Sequence, residues 1–273
     1  MKKWLGQLFL AFLLCFSASI VQASTLTDSF PGPLMTEARR YSVANTHSHN
    51  DYEQPTPFWT AYNAQFGSIE ADIFLVGGRL LVAHDRKELA LDRTLEEYYV
   101  KPLSAQIEKN HGHPYADSGR QLQMLIDVKA DSIAVLDALI ALLRKYPNLT
   151  KTSSLRWVIS GSRPDQALYS TYPPFISFDG ILLYHYSAAA LSRIVMMSDD
   201  LHEYTKWGGI DSIPPGDKML LRAAIGWSHA LHLPVRFWDA PDFPEAWRQL
   251  MELRVDFINT DHIRQLAEYL NGK

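Results

Sequence analysis

Between positions 47 and 129 the chain repeats one arrangement, with ionisable side chains at or near the ends of short apolar runs. His47-Ser48-His49-Asn50-Asp51 follows the first run. Glu70 and Asp72 stand at i, i+2 in the second, a spacing that puts both carboxylates on one face of a strand. Leu80-Leu81-Val82-Ala83 leads into His84-Asp85, and Asp127 and Lys129 repeat the i, i+2 spacing at the end of the next run. Singly, each has a structural explanation: a capping histidine, hydrogen-bonded carboxylates, one ion pair. Jointly, acids directed into one interior repel each other and are costly to bury unpaired. A divalent cation held by Glu70, Asp72 and Asp127 relieves that cost. The set is hard and oxygen-only, which suits Mg2+ or Ca2+ better than Zn2+.

These residues need strands to carry them. Strands are expected at Ser42–Thr46, Ser68–Leu75, Leu80–Ala83 (after the turn Gly77-Gly78), Met124–Val128, Trp157–Ser160, Gly180–Leu183, Ile194–Met197, Val235–Trp238 and Phe257–Asn259. Ile133, Leu136, Leu139, Ile140 and Leu143 recur at helical spacing from Ser132 until Pro147 stops the run. Further helices are expected at Pro164–Tyr169, Ala188–Arg193, Pro215–His232, Pro244–Leu253 and His262–Leu270. About eight strand–helix units imply parallel pairing with helices outside, an α/β chain of the TIM (β/α)8 barrel type. No Gly-rich dinucleotide turn follows a strand, which weakens an open doubly wound sheet. In a barrel the C-terminal strand ends surround one common site.

The N-terminus reads as a leader. Lys2 and Lys3 precede an apolar stretch from Trp4 to Val21, and Val21-Gln22-Ala23 offers a small-residue exit. Residues 1–23 are therefore expected to be a signal peptide, with 24–273 one barrel domain in a bacterial periplasmic or secreted protein. Cys15, the only cysteine, falls in that leader, so the mature chain has no disulfide framework, cysteine nucleophile or thiolate metal site. A net charge of -4, without clustering, makes the chain a poor candidate for binding nucleic acid or an anionic membrane through a field effect, and no nucleic-acid partner is expected. Nothing beyond the leader looks transmembrane, and no protein partner is predicted.

The strings "HSHND", "SIEADIFL", "LLVAHD" and "LIDVKAD" resemble the glycerophosphodiester phosphodiesterases and their phospholipase-C-like relatives. "HSHNDY", with "VISGSRP", "FDGIL", "MSDD", "VRFWDAPD" and "FINTD", is similar to the branch of altered inheritance of mitochondria protein 6. The resemblance spans Val43 to Leu270. It implies a PLC-like phosphodiesterase barrel with Glu70, Asp72 and Asp127 on a metal and two histidines as general acid and base. One is His84; the other is His49 or His47, with His49 slightly favoured and His47 kept as a ligand or orienting group. Asn50 and Asp51 stand where the common phosphodiesterase has Arg and Gly. A cation from elsewhere in the chain must then contact the phosphate: Lys129, which also supplies fixed positive charge, or Arg163 or Arg236. Asp127 replaces a longer Glu, and His111-Gly112-His113 has no counterpart. Asn50, Arg163, Arg236 and Trp238 are the expected substrate contacts, with Asp179 also near the mouth.

The implied activity is metal-dependent hydrolysis of a glycerophosphodiester or phospholipid head group, with a small-molecule phosphodiester as partner. Two other readings stay open. One is a zinc hydrolase of the amidohydrolase-like kind using His47 and His49, with His185 and Asp261 as further ligands. The other is a non-catalytic barrel binding a sugar or lipid head group on Tyr184, Trp238 and Phe178. Asp261 is otherwise expected to be a helix N-cap.

Overall fold

The computed structural model describes residues 40–272, so the expected signal peptide lies outside the described residues. Nine strands form one sheet: β1 Thr46–Ser48, β2 Ser68–Val76, β3 Arg79–Val82, β4 Leu122–Val128, β5 Leu155–Gly161, β6 Ile176–Ile181, β7 Ile194–Asp200, β8 Val235–Trp238 and β9 Ile258–Thr260. Helices α1 Trp59–Asn63, α2 Lys101–Lys109, α3 Ser132–Leu143, α4 Pro147–Lys151, α5 Ala188–Leu191, α6 Pro215–Ala230, α7 Pro244–Glu252 and α8 Ile263–Leu270 lie between and after them. Eight strands are parallel in the order β8-β7-β6-β5-β4-β2-β1-β9, and β3 folds back antiparallel on β2. The ring closes narrowly at one bridge, Arg236 to Phe257, where the Asp256 and Phe257 amides donate to the Val235 carbonyl at 2.9 and 3.1 Å. This is a nearly closed TIM barrel.

Alternation along the strands divides two interiors. Ile69, Ala71 and Ile73 of β2, Met124, Ile126 and Val128 of β4, and Trp157 and Ile159 of β5 belong to the large core shared with the helices. The intervening residues turn to the barrel axis. There Leu125, Val158 and Met196 pack together with Val195 and Phe257 against them. This apolar group sits level with Glu70, which pairs with Leu125, and Gln123 and Ser68 bond to each other one step further down the barrel.

Three differences from the expected elements matter for the site. Ser42 and Asn45 form a reciprocal cap that turns Val43–Asn45 into a 3-10 helix, so β1 begins only at Thr46. That shift puts His47 inside the strand and His49 beyond its end. Second, β6 starts four residues before the expected Gly180, so Asp179 is part of the wall; Leu183, at φ 59, lies past the strand end. Third, Pro147 does not merely end α3 but occupies the first turn of α4, where its missing N–H has no helical partner to lose. α1 and α2 were not legible in the apolar spacing.

Candidate active site

The C-terminal strand ends enclose a cleft of about 450 Å³. Nine of the eleven expected site residues line it: His49, Asn50, Glu70, His84, Asp127, Lys129, Arg163, Arg236 and Trp238. The other two, His47 and Asp72, are fully buried directly behind them. Register explains the convergence: Asp72 pairs with Asp127 across β2 and β4, and Asp127 with Ser160 across β4 and β5. Side chains at one level of a parallel sheet thus meet at one height in the barrel.

Glu70, Asp72 and Asp127 each offer an oxygen within 4.8 Å of the others. Two cations already sit against them. The Arg236 guanidinium is 3.0 Å from Glu70 Oε2, and Lys129 Nζ is 2.9 Å from Asp72 Oδ2 and 3.4 Å from Asp127 Oδ2. Burial would raise the Glu70 pKa, but Arg236 and the His47 hydrogen bond outweigh it and hold the carboxyl below its ordinary range. Asp72 goes the other way: burial, then the Glu70 and Asp127 charges, push it up to about 7. Burial and Glu70 likewise raise Asp127.

The donor set fits a divalent cation. Asp72 Oδ2 is satisfied by Tyr52, Lys129 and, at 3.2 Å, His84 Nδ1, while Asp72 Oδ1 is buried with no hydrogen-bond partner. Three carboxylates against two fixed cations leave an excess of negative charge, which a cation on that free oxygen would balance. Gly161, at φ 67, makes the room: a Cβ there would lie 2.0 Å from Asp127 Oδ1 and 2.7 Å from the Val128 carbonyl.

The histidines take different places. His47 has both ring nitrogens engaged inside the wall, Nδ1 at 2.8 Å from Ser68 Oγ and Nε2 at 2.6 Å from Glu70 and 2.7 Å from Arg236. Burial and the Arg236 charge push its pKa down to about 4. His49 lines the cleft with Nδ1 at 2.8 Å from Asp261 Oδ1. Burial works against its charge, but the Asp261 hydrogen bond and the Glu70 charge prevail and raise its pKa. His84 follows the β2–β3 hairpin, its side chain half exposed and its Nδ1 directed at Asp72. In both cleft histidines Nδ1 is tied to a carboxylate, which leaves Nε2 for chemistry.

Other expected residues are placed as follows. Arg236 is buried and committed to Glu70, His47 and Asn259, so it braces the acids more than it reaches outward. Arg163 is half-buried and donates to the Asp179 carbonyl. Asn50 adopts φ 43, a left-handed conformation that asparagine tolerates, and turns the chain sharply after β1. Trp238 is 40% exposed at the rim, Tyr184 is exposed, and Phe178 is buried on Tyr169. A guanidinium 2.7 Å from His47 Nε2 occupies the position a zinc ion would need, and His185 is exposed and outside the cleft lining. The zinc reading therefore loses two of its four expected ligands, His47 and His185.

Four features were missed or undervalued. Asp261 is not the expected N-cap of α8, a position that His262 takes, but the partner of His49, and the pair is 212 residues apart in sequence. Tyr52, legible only inside "HSHNDY", donates to Asp72 at 2.8 Å and lies 3.4 Å from His84. Gly161 shapes Asp127. Asp179 is wholly buried among Ser160, Ser198 and Arg163.

The family model described as AIM6-like phosphodiesterase domain matches residues 37–155, and that of the glycerophosphoryl diester phosphodiesterase family matches residues 234–263. An altered inheritance of mitochondria protein 6 homolog of Arthroderma benhamiae is 26% identical over 82% of this chain and 82% of its own. Altered inheritance of mitochondria protein 6 of Kluyveromyces lactis is 23% identical over 92% of this chain and 80% of its own. The crystal structure of a glycerophosphodiester phosphodiesterase from Parabacteroides distasonis superposes with a TM-score of 0.51 at 12% identity, covering 83% of this chain and 96% of that one, and supports the fold. These relatives correct one expectation. The curated proteins are fungal, which overturns the bacterial periplasmic or secreted placement. A basic start followed by an apolar run is shared by leaders of many destinations and does not fix a host. Matches and motifs together support a glycerophosphodiester-phosphodiesterase-like superfamily branch, to which the chain is similar through the altered inheritance of mitochondria protein 6 relatives.

Proposed function

We propose that the protein is a divalent-cation-dependent phosphodiesterase acting on a small phosphodiester, of the glycerophosphodiester or phospholipid head-group type. The observation that carries this reading is the meeting of three carboxylate oxygens within 4.8 Å in a cleft that His49 and His84 also line. Glu70, Asp72 and Asp127 would hold Mg2+ or Ca2+. When bound, such a cation polarises a non-bridging phosphate oxygen and offsets the charge that develops in the transition state.

The chain's own residues do the rest. His49, oriented by Asp261, accepts a proton at Nε2 from the nucleophile, a water or a neighbouring substrate hydroxyl. His84, oriented by Asp72 and Tyr52, delivers a proton from Nε2 to the leaving oxygen. Such a pair contributes about 10²–10⁴-fold. Lys129 and Arg163 supply positive charge to the phosphate, and His47 and Arg236 keep Glu70 ionised and fixed. Trp238 covers one side of the bound diester.

The test is hydrolysis of bis(p-nitrophenyl) phosphate and glycerophosphocholine with Mg2+ or Ca2+, with Glu70→Ala and His84→Ala alongside. Turnover that requires the ion and is lost in both variants is expected. Ligand binding with no turnover under any divalent ion would replace the enzyme by a binding barrel. Activity retained in His84→Ala would remove that residue from the mechanism.

A further inference from the structure

The segment between β1 and α1, residues 49–58, carries His49, Asn50 and Tyr52 to the site in a conformation that the backbone does not favour by itself. Asn50 has φ 43, and Phe58 has φ 65 with ψ -54. The Trp59 amide donates to the Pro57 carbonyl at 2.8 Å, so Phe58 is the centre of a γ-turn of the rare, strained hand. Such a residue persists only where its surroundings over-determine it, and residues of this kind gather at functional sites.

Asp51 supplies the constraint. Its side chain is wholly buried and ties three parts of the fold together. Ser48 Oγ of β1 donates to Oδ1 at 2.9 Å, while the Phe58 amide and the Tyr99 hydroxyl donate to Oδ2 at 2.6 and 3.0 Å. Tyr99, just ahead of α2, is fully buried, and its ring meets the Phe58 ring edge-on with centroids 6.4 Å apart. Phe58 also stacks on Tyr62 of α1. Asp51 is not among the residues that line the cleft, and the reaction above gives it no part. An apolar residue would fill the same volume without the cost of burying a carboxylate, so packing alone does not account for an acid here.

The next residue along reaches the acids. Tyr52 is buried, and its hydroxyl lies 2.8 Å from both Asn50 Oδ1 and Asp72 Oδ2 and 3.4 Å from His84 Nδ1. Tyr52 is the middle residue of the 3-10 turn Asp51–Glu53, so the bonds that hold Asp51 to Ser48, Phe58 and Tyr99 also fix the direction in which Tyr52 leaves the chain. We infer that Asp51 is a positioning residue, whose carboxylate clamps the strained β1–α1 segment so that the Tyr52 hydroxyl holds Asp72, and through it His84, in one geometry. The inference rests on the phosphodiesterase reading for what Asp72 and His84 do. Without the clamp the segment would relax at Asn50 and Phe58, and Asp72 would lose a fixed donor.

The test is a double-mutant cycle, because two residues that act as one unit give losses that do not multiply. In the full chain, kcat on bis(p-nitrophenyl) phosphate at saturating Mg2+ and calorimetric Mg2+ affinity are measured for Asp51→Ala, Tyr52→Phe and the double variant. Each single variant should lose about tenfold in both readings. KM should change little, and the double variant should be no worse than Tyr52→Phe. Asp51→Asn can donate from its amide nitrogen to Ser48 Oγ while its carbonyl accepts from Phe58 and Tyr99, so it should recover most of the loss. Losses that multiply in the double variant would mean that Asp51 acts through the stability of the fold and not through Tyr52, and would overturn the inference. Full activity in folded Asp51→Ala would do the same, as would Asp51→Asn as damaged as Asp51→Ala. If Asp51→Ala does not fold, Tyr99→Phe, which removes one of the three bonds and keeps the ring, takes its place in the cycle and decides in the same way. Coupled losses of Mg2+ affinity without turnover of any diester would sink the enzyme reading alone. Turnover with multiplying losses would sink the clamp alone, and a chain with neither turnover nor Mg2+ binding would sink both.

Discussion

Replacing Gly161 with alanine puts a methyl group where β5 passes closest to the acids. The added Cβ would stand 2.0 Å from Asp127 Oδ1 and 2.7 Å from the Val128 carbonyl oxygen. The first contact is about 1.4 Å short of ordinary van der Waals separation, so the Asp127 carboxylate has to move by about that much. The backbone cannot relieve it cheaply, because residue 161 is held at φ 67, where an L side chain costs about 1–2 kcal/mol. Carboxylate–metal distances tolerate only about 0.2 Å. Urea unfolding should therefore show a loss of at least about 1–2 kcal/mol. Calorimetric titration with Mg2+ and Ca2+ should show affinity lower by about 10–100-fold, and Asp127→Asn should lose affinity without the backbone cost. If Gly161→Ala loses stability but binds the ion within about twofold of the wild type, Asp127 is not a ligand. If neither changes, the close approach is wrong.

Arg236→Met leaves Glu70 buried beside an uncharged neighbour and should cost about 3–5 kcal/mol in urea unfolding, much of it recovered when Glu70→Gln is added. A loss below about 1 kcal/mol would show that the pair is not a buried ion pair. Asp261→Asn removes a group that raises the His49 pKa, so the acidic limb of the kcat/KM profile should move to lower pH and kcat should fall about tenfold or more. An unmoved limb would mean that His49 is not the base. Burial pushes Asp51 from 3.8 to about 6 against hydrogen bonds from the Phe58 amide, Ser48 and Tyr99. A raised acid contributes stability that is present below about pH 4 and lost as pH rises through about 6. Between pH 4 and 7 the stability of Asp51→Asn should therefore gain about 3 kcal/mol relative to the wild type; parallel curves would refute the shift.

How far the chain could be read before folding follows from the range of each interaction. The i, i+2 pairs Glu70/Asp72 and Asp127/Lys129 are set by strand geometry alone, and all four residues converge on the acid cluster. The eightfold succession of strands and helices is likewise local, since periodicity and breaking residues mark each unit. Short segments were harder: a side-chain cap outweighed strand propensity at Val43–Asn45, and Asp179 was placed beside its strand instead of within it.

By itself, the sequence determined that a parallel barrel would carry a set of acids and histidines on its first strands. Only the tertiary structure decided which histidine faces the cleft, because that depends on where β1 begins and on Asp261 arriving from 212 residues away. The bond from Arg236 to Glu70 spans 166 residues and exists only because β8 and β9 close the ring against β1. Alternation is written in neighbouring residues. Partnership across a barrel depends on register and closure, which a strand acquires only from the other strands.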